Sequence, residues 1–208
     1  DCKVGRREPK SNRDYWLRLT FERKTGPAFE RVLEIDQSNI DIVEFYAPAS
    51  GGTYELNRSG MLSKFGERKI NNRNFVYPIA LEPGETKTYY IRARTCGGLI
   101  LPMVFWNKDR FIDYNANVQH CLGLYYGIML VMILYNLFVF FSVRDISYFY
   151  YVAYILGLLW LQLVLTGHGF QYLWPDGTWL QRNSYILSSA FMLASVMMFA
   201  KRFLNTRV

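Results

Sequence analysis

The sequence predicts an antiparallel β-sandwich followed by a bundle of membrane-spanning α-helices. Short segments that alternate apolar and polar residues dominate from Tyr15 to Phe105, and such alternation is typical of strands buried on one face. Beyond Val118 the chain is almost free of charge. The charged side chains there are Arg144, Asp145, Asp176, Arg182, Lys201, Arg202 and Arg207. The first half therefore has a water-soluble composition and the second a membrane-spanning one.

Six segments carry the strand pattern. They are Tyr15–Phe21, Arg31–Asp36, Ile40–Ala47, Phe75–Leu81, Tyr89–Arg94 and Leu99–Phe105. A shift of the apolar phase between Ile42 and Val43 predicts a bulge. The last segment is apolar throughout, which fits a central strand, whereas Pro102 favours an edge strand or a bulge. The basic stretch Asn57–Asn74 is predicted to be a long loop.

The strands, with turn residues between them, predict a jelly-roll-like sandwich over residues 1–106, a length sufficient for one core. Residues 107–121 are predicted to form a linker helix, since Phe111, Tyr114 and Val118 follow a helical spacing that runs into Leu122. This stretch contains neither Gly nor Pro. We therefore expect a stiff connection to the first span.

Three uncharged stretches are long enough to cross a bilayer, for which about 20 apolar residues suffice. The spans are predicted at about 122–143, 148–165 and 185–203. Basic residues favour the cytoplasmic side, so Arg144, Lys201 and Arg202 place the sandwich outside. The chain is expected to be a fragment, because it stops soon after a third span and shows no signal peptide.

Small and polar residues in the predicted spans favour helix packing. Gly123 and Gly127 form a G-x-x-x-G motif that lets two helix backbones approach closely, within the chain or in a homodimer. Asn136 and Gln162 are amides at membrane depth, where interhelical hydrogen bonds are their usual role. We expect all four residues to contribute to packing.

The sequence offers no case for an enzyme. It contains two histidines and three cysteines, and none of their spacings resembles a metal site. We predict neither a metal nor a cofactor. Cys2 and Cys96 could form a disulfide outside the cytoplasm, or remain free. The net charge of +7 is divided between the two halves, which argues against nucleic acid as a partner and suits anionic lipids.

A sandwich with exposed aromatic residues can bind a small ligand such as a carbohydrate, because aromatic rings stack on sugars while polar neighbours bond the hydroxyls. The candidate ligand-binding residues are Trp16, Arg18, Tyr46, Arg73, Tyr90, Arg92 and Trp106, with Tyr54 and Arg94 as further candidates. For each of the aromatic residues, a place in the core is the alternative.

Several segments resemble one bacterial family, the seven-transmembrane receptors with diverse intracellular signalling modules. In the first half they are Tyr15–Leu19, Arg73–Pro78, Leu81–Thr86 and Tyr90–Arg92. In the second half they are Leu122–Ile128, Leu134–Leu137, Arg144–Tyr148, Gly167–Pro175 and Arg202–Leu204. Their order and spacing cover most of the chain from Tyr15 onward.

The resemblance implies a sensor domain similar to carbohydrate-binding modules, located outside the bacterial inner membrane. It also implies seven spans and a cytoplasmic output such as a kinase, cyclase or phosphatase. This sequence has three spans and no output module, and its first strands look short or missing. The expected function is a receptor fragment that senses a small ligand and relays the signal inward. The alternative is a membrane-anchored carbohydrate-binding or scaffold module without signalling.

Overall fold

The computed structural model describes residues 14–23, 29–49, 51–95 and 98–204. Its strands are β1 (Asp14–Glu22), β2 (Phe29–Ile35), β3 (Ile42–Pro48), β4 (Tyr54–Ser59), β5 (Phe75–Leu81), β6 (Thr86–Arg94) and β7 (Met103–Asn107). Its α-helices are α1 (Lys108–Val143), α2 (Ile146–Leu165) and α3 (Thr178–Phe203). A 3-10 turn at Phe65–Glu67 and a π-helical turn at Gly169–Leu173 lie between them. Cys2 and Cys96, which could either pair or remain free, lie outside the described residues.

The strands form two antiparallel sheets, ordered β1-β6-β3-β4 and β5-β2-β7. Their facing sides enclose the core, where Phe45 of the first sheet stacks on Tyr77 of the second with ring centroids 4.2 Å apart. Leu33, Ile35, Val43, Ile79 and Ile91 are among the buried residues of this core. The predicted fold class, a β-sandwich followed by a helical bundle, is confirmed.

Three local predictions in the sandwich need correction. The pairing of β3 with β6 continues through Ile42 and Val43 in regular register, so the predicted bulge is wrong. The stretch Asn57–Asn74 is not wholly a loop, because its first residues belong to β4, which pairs with β3. The last strand begins only at Met103 and pairs on one side, with β2. It is thus an edge strand, as Pro102 favoured.

Helix α1 is a single continuous helix from the end of the sandwich to the first turn of the membrane region. Its 36 residues extend about 54 Å, which exceeds the roughly 30 Å of a bilayer's hydrocarbon core. The side chain of Asn107 caps its first turn by accepting a hydrogen bond from the Asp109 amide at 3.1 Å. Arg144 ends it in the left-handed conformation, with φ of 57°.

All three α-helices of the described residues are long and apolar enough to cross a membrane. Helix α2 packs against both α1 and α3. Its contact with α3 is close at Gly157, where an added Cβ would lie 3.0 Å from the Met192 Cα. Ser184, Ser188 and Ser195 are buried on α3. Small residues therefore permit the close approach of these two helices.

Candidate functional site: an aromatic face and a joint with the membrane helices

The outward side of the sheet β1-β6-β3-β4 collects most of the predicted ligand residues. Side chains of a strand alternate between the two faces of its sheet, and the strand register fixes which of them meet. The outward residues include Asp14, Trp16, Arg18, Glu44, Tyr46, Tyr54, Arg58, Tyr90, Arg92 and Arg94. We call this set the aromatic face. It brings together five of the seven predicted ligand residues.

Aromatic rings on this face stack in pairs and remain accessible. Trp16 is 58% exposed, and its ring stacks on Tyr46 with centroids 5.6 Å apart. Tyr54 and Tyr90 meet edge to face at 5.4 Å. A flat, exposed ring fixed by a neighbouring ring is a suitable platform for the apolar face of a sugar.

A buried carboxylate organises the centre of the aromatic face. Glu44 is 3% exposed and accepts hydrogen bonds from Arg92 Nη1 at 2.8 Å and Tyr46 Oη at 3.0 Å. Its other oxygen accepts from Arg58 Nη2 at 3.0 Å and Nε at 3.2 Å. Burial alone would raise the pKa of Glu44, but these hydrogen bonds and the charge of Arg92 outweigh it and lower the pKa.

A second carboxylate fixes the arginines at the edge strand. Asp14 accepts hydrogen bonds from Arg92 Nη2 at 2.8 Å and Arg94 Nη2 at 2.9 Å. Those bonds, with that of Arg94 the strongest influence, hold the pKa of Asp14 well below its usual range. Arg92 thus bridges Asp14 and Glu44, and its guanidinium lies 5.9 Å from the Trp16 ring centroid. The network positions the ring of Tyr46 through its hydrogen bond to Glu44 and that of Trp16 through the adjacent guanidinium of Arg92.

Sequence reasoning missed Glu44, Asp14 and Arg58 as parts of this site. No local spacing marks them, because their grouping depends on register: Glu44 lies opposite Arg92 on one side and Arg58 on the other. Knowledge of the pairing of β3 with β4 and β6 would have found them.

Two of the predicted ligand residues lie elsewhere. Trp106 belongs to β7 in the other sheet, where its ring stacks on Tyr114 of α1 at 4.8 Å and its Nε1 donates to Glu34 at 2.7 Å. Arg73 lies beside the membrane helices and donates to the Thr166 carbonyl oxygen at 3.4 Å. Both residues connect the sandwich to the helices rather than contributing to the aromatic face.

The sandwich rests on the loop between α2 and α3 as well as on α1. We call this contact the joint; it comprises loop residues 165–176 and sandwich residues 38 and 64–73. Its polar contacts join Ser38 Oγ to the Leu165 carbonyl at 3.1 Å, Gln171 Nε2 to Asn71 Oδ1 at 2.9 Å, Lys64 Nζ to Asp176 Oδ1 at 3.6 Å and the Phe65 amide to the Pro175 carbonyl at 3.0 Å. The joint therefore combines backbone and side-chain contacts across two regions.

Arg68 occupies the centre of the joint. Its guanidinium lies 4.6 Å from the ring centroid of Phe75 in the sandwich core and 5.7 Å from that of Phe170 in the α2–α3 loop. Its Nη1 donates to the carbonyl oxygens of Asn72 at 2.9 Å and Arg73 at 3.0 Å. Burial lowers the pKa of Arg68 to about 10. One side chain thus contacts both the sandwich core and the loop.

A buried histidine belongs to the loop part of the joint and faces α1. His168 is 4% exposed, its Nδ1 lies 3.1 Å from the hydroxyl of Tyr126 and its Nε2 3.3 Å from Oε1 of Gln119. These contacts fit a neutral ring that accepts from Tyr126 and donates to Gln119. Burial, followed by the positive charge of Arg73, lowers the pKa of His168. The histidine links the α2–α3 loop to α1.

Gly123 and Gly127 do not lie against another helix in the described part of the chain. Apart from chain neighbours and the nearby backbone of α1 itself, no described atom lies within 4 Å of a Cβ placed at either glycine. Asn136 is buried, but its amide donates to the Met132 carbonyl of its own helix at 2.8 Å. The packing role of these residues and of Gln162 stays a prediction. No group of His, Cys, Asp or Glu in the described parts of the chain is arranged to hold a metal.

Two family models match the chain, one on each side of the boundary between sandwich and helices. The model described as 7TMR-DISM extracellular 2 matches residues 8–107, and the model described as 7TM diverse intracellular signalling matches residues 119–208. The chain belongs to the 7TMR-DISM family. No curated protein and no solved structure matches it.

Family membership assigns a role to each half of the structure. In a 7TMR-DISM protein the sandwich is the extracellular sensor domain and the apolar helices belong to the transmembrane domain. Both domains are sensory rather than catalytic, and together they belong to a signalling receptor. The division at residues 106/107 and 121/122 stays a prediction, and α1 crosses the second of these boundaries without a break.

Proposed function

We propose that this chain is the sensing and membrane-proximal part of a receptor in the bacterial inner membrane. A small ligand, a carbohydrate in our proposal, binds the aromatic face outside the cell membrane. The joint and α1 transmit the bound state to the helices, and further spans carry it to a cytoplasmic output module. The exposed Trp16–Tyr46 stack above the Glu44 network is the observation that supports the ligand site most directly.

The proposal for the ligand class follows from the chemistry of the aromatic face. Stacked aromatic rings favour sugars. A buried charge network that already holds such rings in place reduces the conformational entropy that their side chains lose on binding. Arginine and tyrosine groups supply hydrogen-bond donors for hydroxyls beside the rings. No catalytic step is required for such binding.

The proposal for signal transmission follows from the two connections between sandwich and helices. Trp106 of β7 stacks on Tyr114 of α1, while Arg68 and Ser38 contact the α2–α3 loop. A ligand that favours one arrangement of the sandwich would shift the position of α1 relative to this loop. Both connections are packed and hydrogen-bonded, so a displacement of the sandwich is not absorbed by a flexible linker.

Membrane partners are part of the same proposal. Helices α1 and α3 expose many large apolar side chains, which suit lipid, additional spans of the receptor or a second copy of the chain. A cleft of about 700 Å³ among the three helices is lined by Asn136 of α1, Tyr148 of α2 and Arg202 of α3, among others. We propose that the remaining spans pack there, and that lipids cover the rest.

Ligand binding is tested with the full chain in lipid nanodiscs. Titration with neutral and acidic oligosaccharides, followed by calorimetry, should reveal binding that Trp16→Ala weakens about tenfold or more, because stacking and buried area are lost. Trp179→Ala is the matched control, since Trp179 is also highly exposed but lies on α3. Unchanged binding in Trp16→Ala, Tyr46→Ala and Tyr90→Ala would contradict the proposed site.

Transmission is tested at the joint. A carbodiimide couples amines to carboxylates that are in contact, so it should link Lys64 to Asp176, and the yield should change when the sugar is bound. The pair Lys69–Glu55, 3.0 Å apart within the sandwich, should be coupled equally with and without sugar. A sugar that binds without altering the Lys64–Asp176 yield would favour an anchored binding module without signalling.

Orientation is tested with single cysteines introduced into a background in which Cys2, Cys96 and Cys121 are all replaced by serine. Labelling from outside the cell membrane should reach Thr178→Cys, at the start of α3, and spare Ser147→Cys, at the start of α2. Positive residues near the ends of α1 and α3 predict this arrangement. Outside labelling of Ser147→Cys would overturn the proposed orientation.

A further inference from the structure

The aromatic face carries four arginines, and carboxylates engage three of them. Arg58 and Arg92 bind Glu44, and Arg92 and Arg94 bind Asp14. The fourth is Arg18, which is exposed and lies opposite Tyr90 in the pairing of β1 with β6. Among the described residues, no ion pair involves Arg18. The face therefore presents one cation whose charge is not balanced by a neighbouring acid.

Arg18 is also close to the exposed aromatic platform. It is two residues from Trp16 on the same strand, and side chains two residues apart on a strand share a face at a spacing of about 7 Å. A sugar ring lying on Trp16 can thus extend a substituent towards the guanidinium. Arginine binds carboxylates through two parallel hydrogen bonds, which makes it selective for that group.

The other arginines are poor candidates for the same task. Removing Arg92 or Arg58 from Glu44 to bind a ligand would take one of two counter-charges from a carboxylate that is 3% exposed. Leaving a buried charge uncompensated is strongly unfavourable. The network therefore serves to hold the platform, and Arg18 is the cation available to a ligand.

We propose that the ligand is an acidic sugar, a uronic acid or an oligosaccharide containing one, whose ring stacks on Trp16 and whose carboxylate binds Arg18. The inference rests on the proposed sugar-binding function of the aromatic face and makes its ligand class specific. Arg18 is then the residue that distinguishes acidic from neutral sugars.

The experiment compares each acidic oligosaccharide with its own methyl ester, which keeps the ring and removes the charge. The full chain in phosphatidylcholine nanodiscs is titrated with short oligomers of galacturonate, glucuronate and mannuronate and with the corresponding esters. At least one acid should bind about tenfold more tightly than its ester, as expected for a charge-assisted hydrogen-bonded pair. Added salt should reduce this preference.

Variants test whether Arg18 causes the preference for the acid over its ester. Arg18→Gln should bind acid and ester with similar affinity, while Arg18→Lys should keep part of the preference because it keeps the charge without the planar fork. Arg110→Gln is the matched control: Arg110 is exposed on α1, away from the aromatic face, and its loss should leave the preference intact. Unfolding curves check that each variant is folded.

The outcomes separate this inference from the function on which it rests. Equal binding of acids and esters that still depends on Trp16 would overturn the inference and leave the sugar site standing. A preference for acids that survives in Arg18→Gln would also overturn it. If neither acids, esters nor neutral oligosaccharides bind, both the inference and the proposed carbohydrate site are wrong.

Discussion

Gly167 lies against Ser38 so closely that a Cβ added at Gly167 would come within 2.8 Å of the Ser38 Cβ. The two residues belong to the α2–α3 loop and to the sandwich, and they meet at the joint. Gly167 also has a φ of +79°, a backbone conformation that costs other residues free energy. The contact therefore depends on glycine for two independent reasons.

Gly167→Ala should loosen the joint. The added methyl group clashes with Ser38 and the backbone is strained, so we expect a loss of about 1–3 kcal/mol in the free energy of unfolding. Thermal unfolding of the full chain in nanodiscs measures the loss, and the yield of Lys64–Asp176 coupling reports the joint itself. Gly123→Ala is the control, because nothing lies within 4 Å of its added Cβ and alanine favours a helix. An equal free energy of unfolding in the two variants would contradict the role of Gly167 in the joint.

Arg68→Gln should destabilise the sandwich and the joint together. The substitution removes the hydrogen bonds to the carbonyls of Asn72 and Arg73 and the stacking on Phe75, at a cost of about 2–3 kcal/mol. The adjacent Lys69→Gln removes an exposed ion pair with Glu55 and should cost at most about 1 kcal/mol. Unfolding in denaturant compares them. Similar losses for both variants would show that Arg68 has no special role.

The alternating sequence pattern was sufficient to predict the sandwich because burial of one face leaves a period of two in each strand. That period alone places Trp16 and Arg18 on one face of β1, and Tyr90 and Arg92 on one face of β6. The pattern does not contain strand order, and this explains the misplacement of Trp106, an aromatic residue whose strand belongs to the other sheet. Single-sequence periodicity determines faces but not neighbours.

The membrane half shows a similar division. Hydropathy predicted three spans, and helices cover each of them. The G-x-x-x-G motif lies on α1, whereas a close contact between two helices occurs at Gly157 of α2. The residues of α3 that lie against Gly157 are Phe191 and Met192, which no motif of α2 reveals. A packing motif within one helix does not say where a second helix lies.

The stability of the sandwich should fall in acid because of Glu44. Its pKa is lowered in the folded protein from a usual value of 4.5, so the unfolded chain binds a proton more readily. The resulting stabilisation is fully present above about pH 4.5 and is lost as the pH falls towards the lower, folded pKa. Thermal midpoints measured from neutral pH to about pH 3 should decline in this window.

Glu44→Gln separates this effect from other acid-sensitive groups. The variant should be less stable at neutral pH, because Arg58 and Arg92 lose the carboxylate to which both donate, and it should lose less stability on acidification than the unmodified chain. Glu55→Gln is the control, since Glu55 is exposed and paired only with Lys69. An unchanged acid profile in Glu44→Gln would mean that other carboxylates govern the decline.

The contact between α1 and the α2–α3 loop should weaken at mildly acidic pH because of His168. Its pKa lies below the usual 6.5, so the unfolded chain takes up a proton first as the pH falls. Stability due to the neutral ring is present above about pH 6.5 and is lost as the pH drops towards the folded pKa. Burial of the ring is the main reason for the lowered pKa, and the positive charge of Arg73 adds to it. Tyr126, Gln119 and Tyr172 offer no negative charge to a protonated ring.

The measurement is the thermal midpoint of the full chain in nanodiscs between about pH 7.5 and pH 5.5, a range in which histidine is the side chain that ordinarily titrates. The unmodified chain should lose stability over this range, and His168→Gln should lose less, because glutamine stays neutral and can still bond to Tyr126 or Gln119. His120→Gln serves as the control, since His120 is exposed on α1 and its replacement should leave the pH profile unchanged. A profile altered by His120→Gln and unaffected by His168→Gln would assign the pH sensitivity to α1 itself and not to the contact between α1 and the α2–α3 loop.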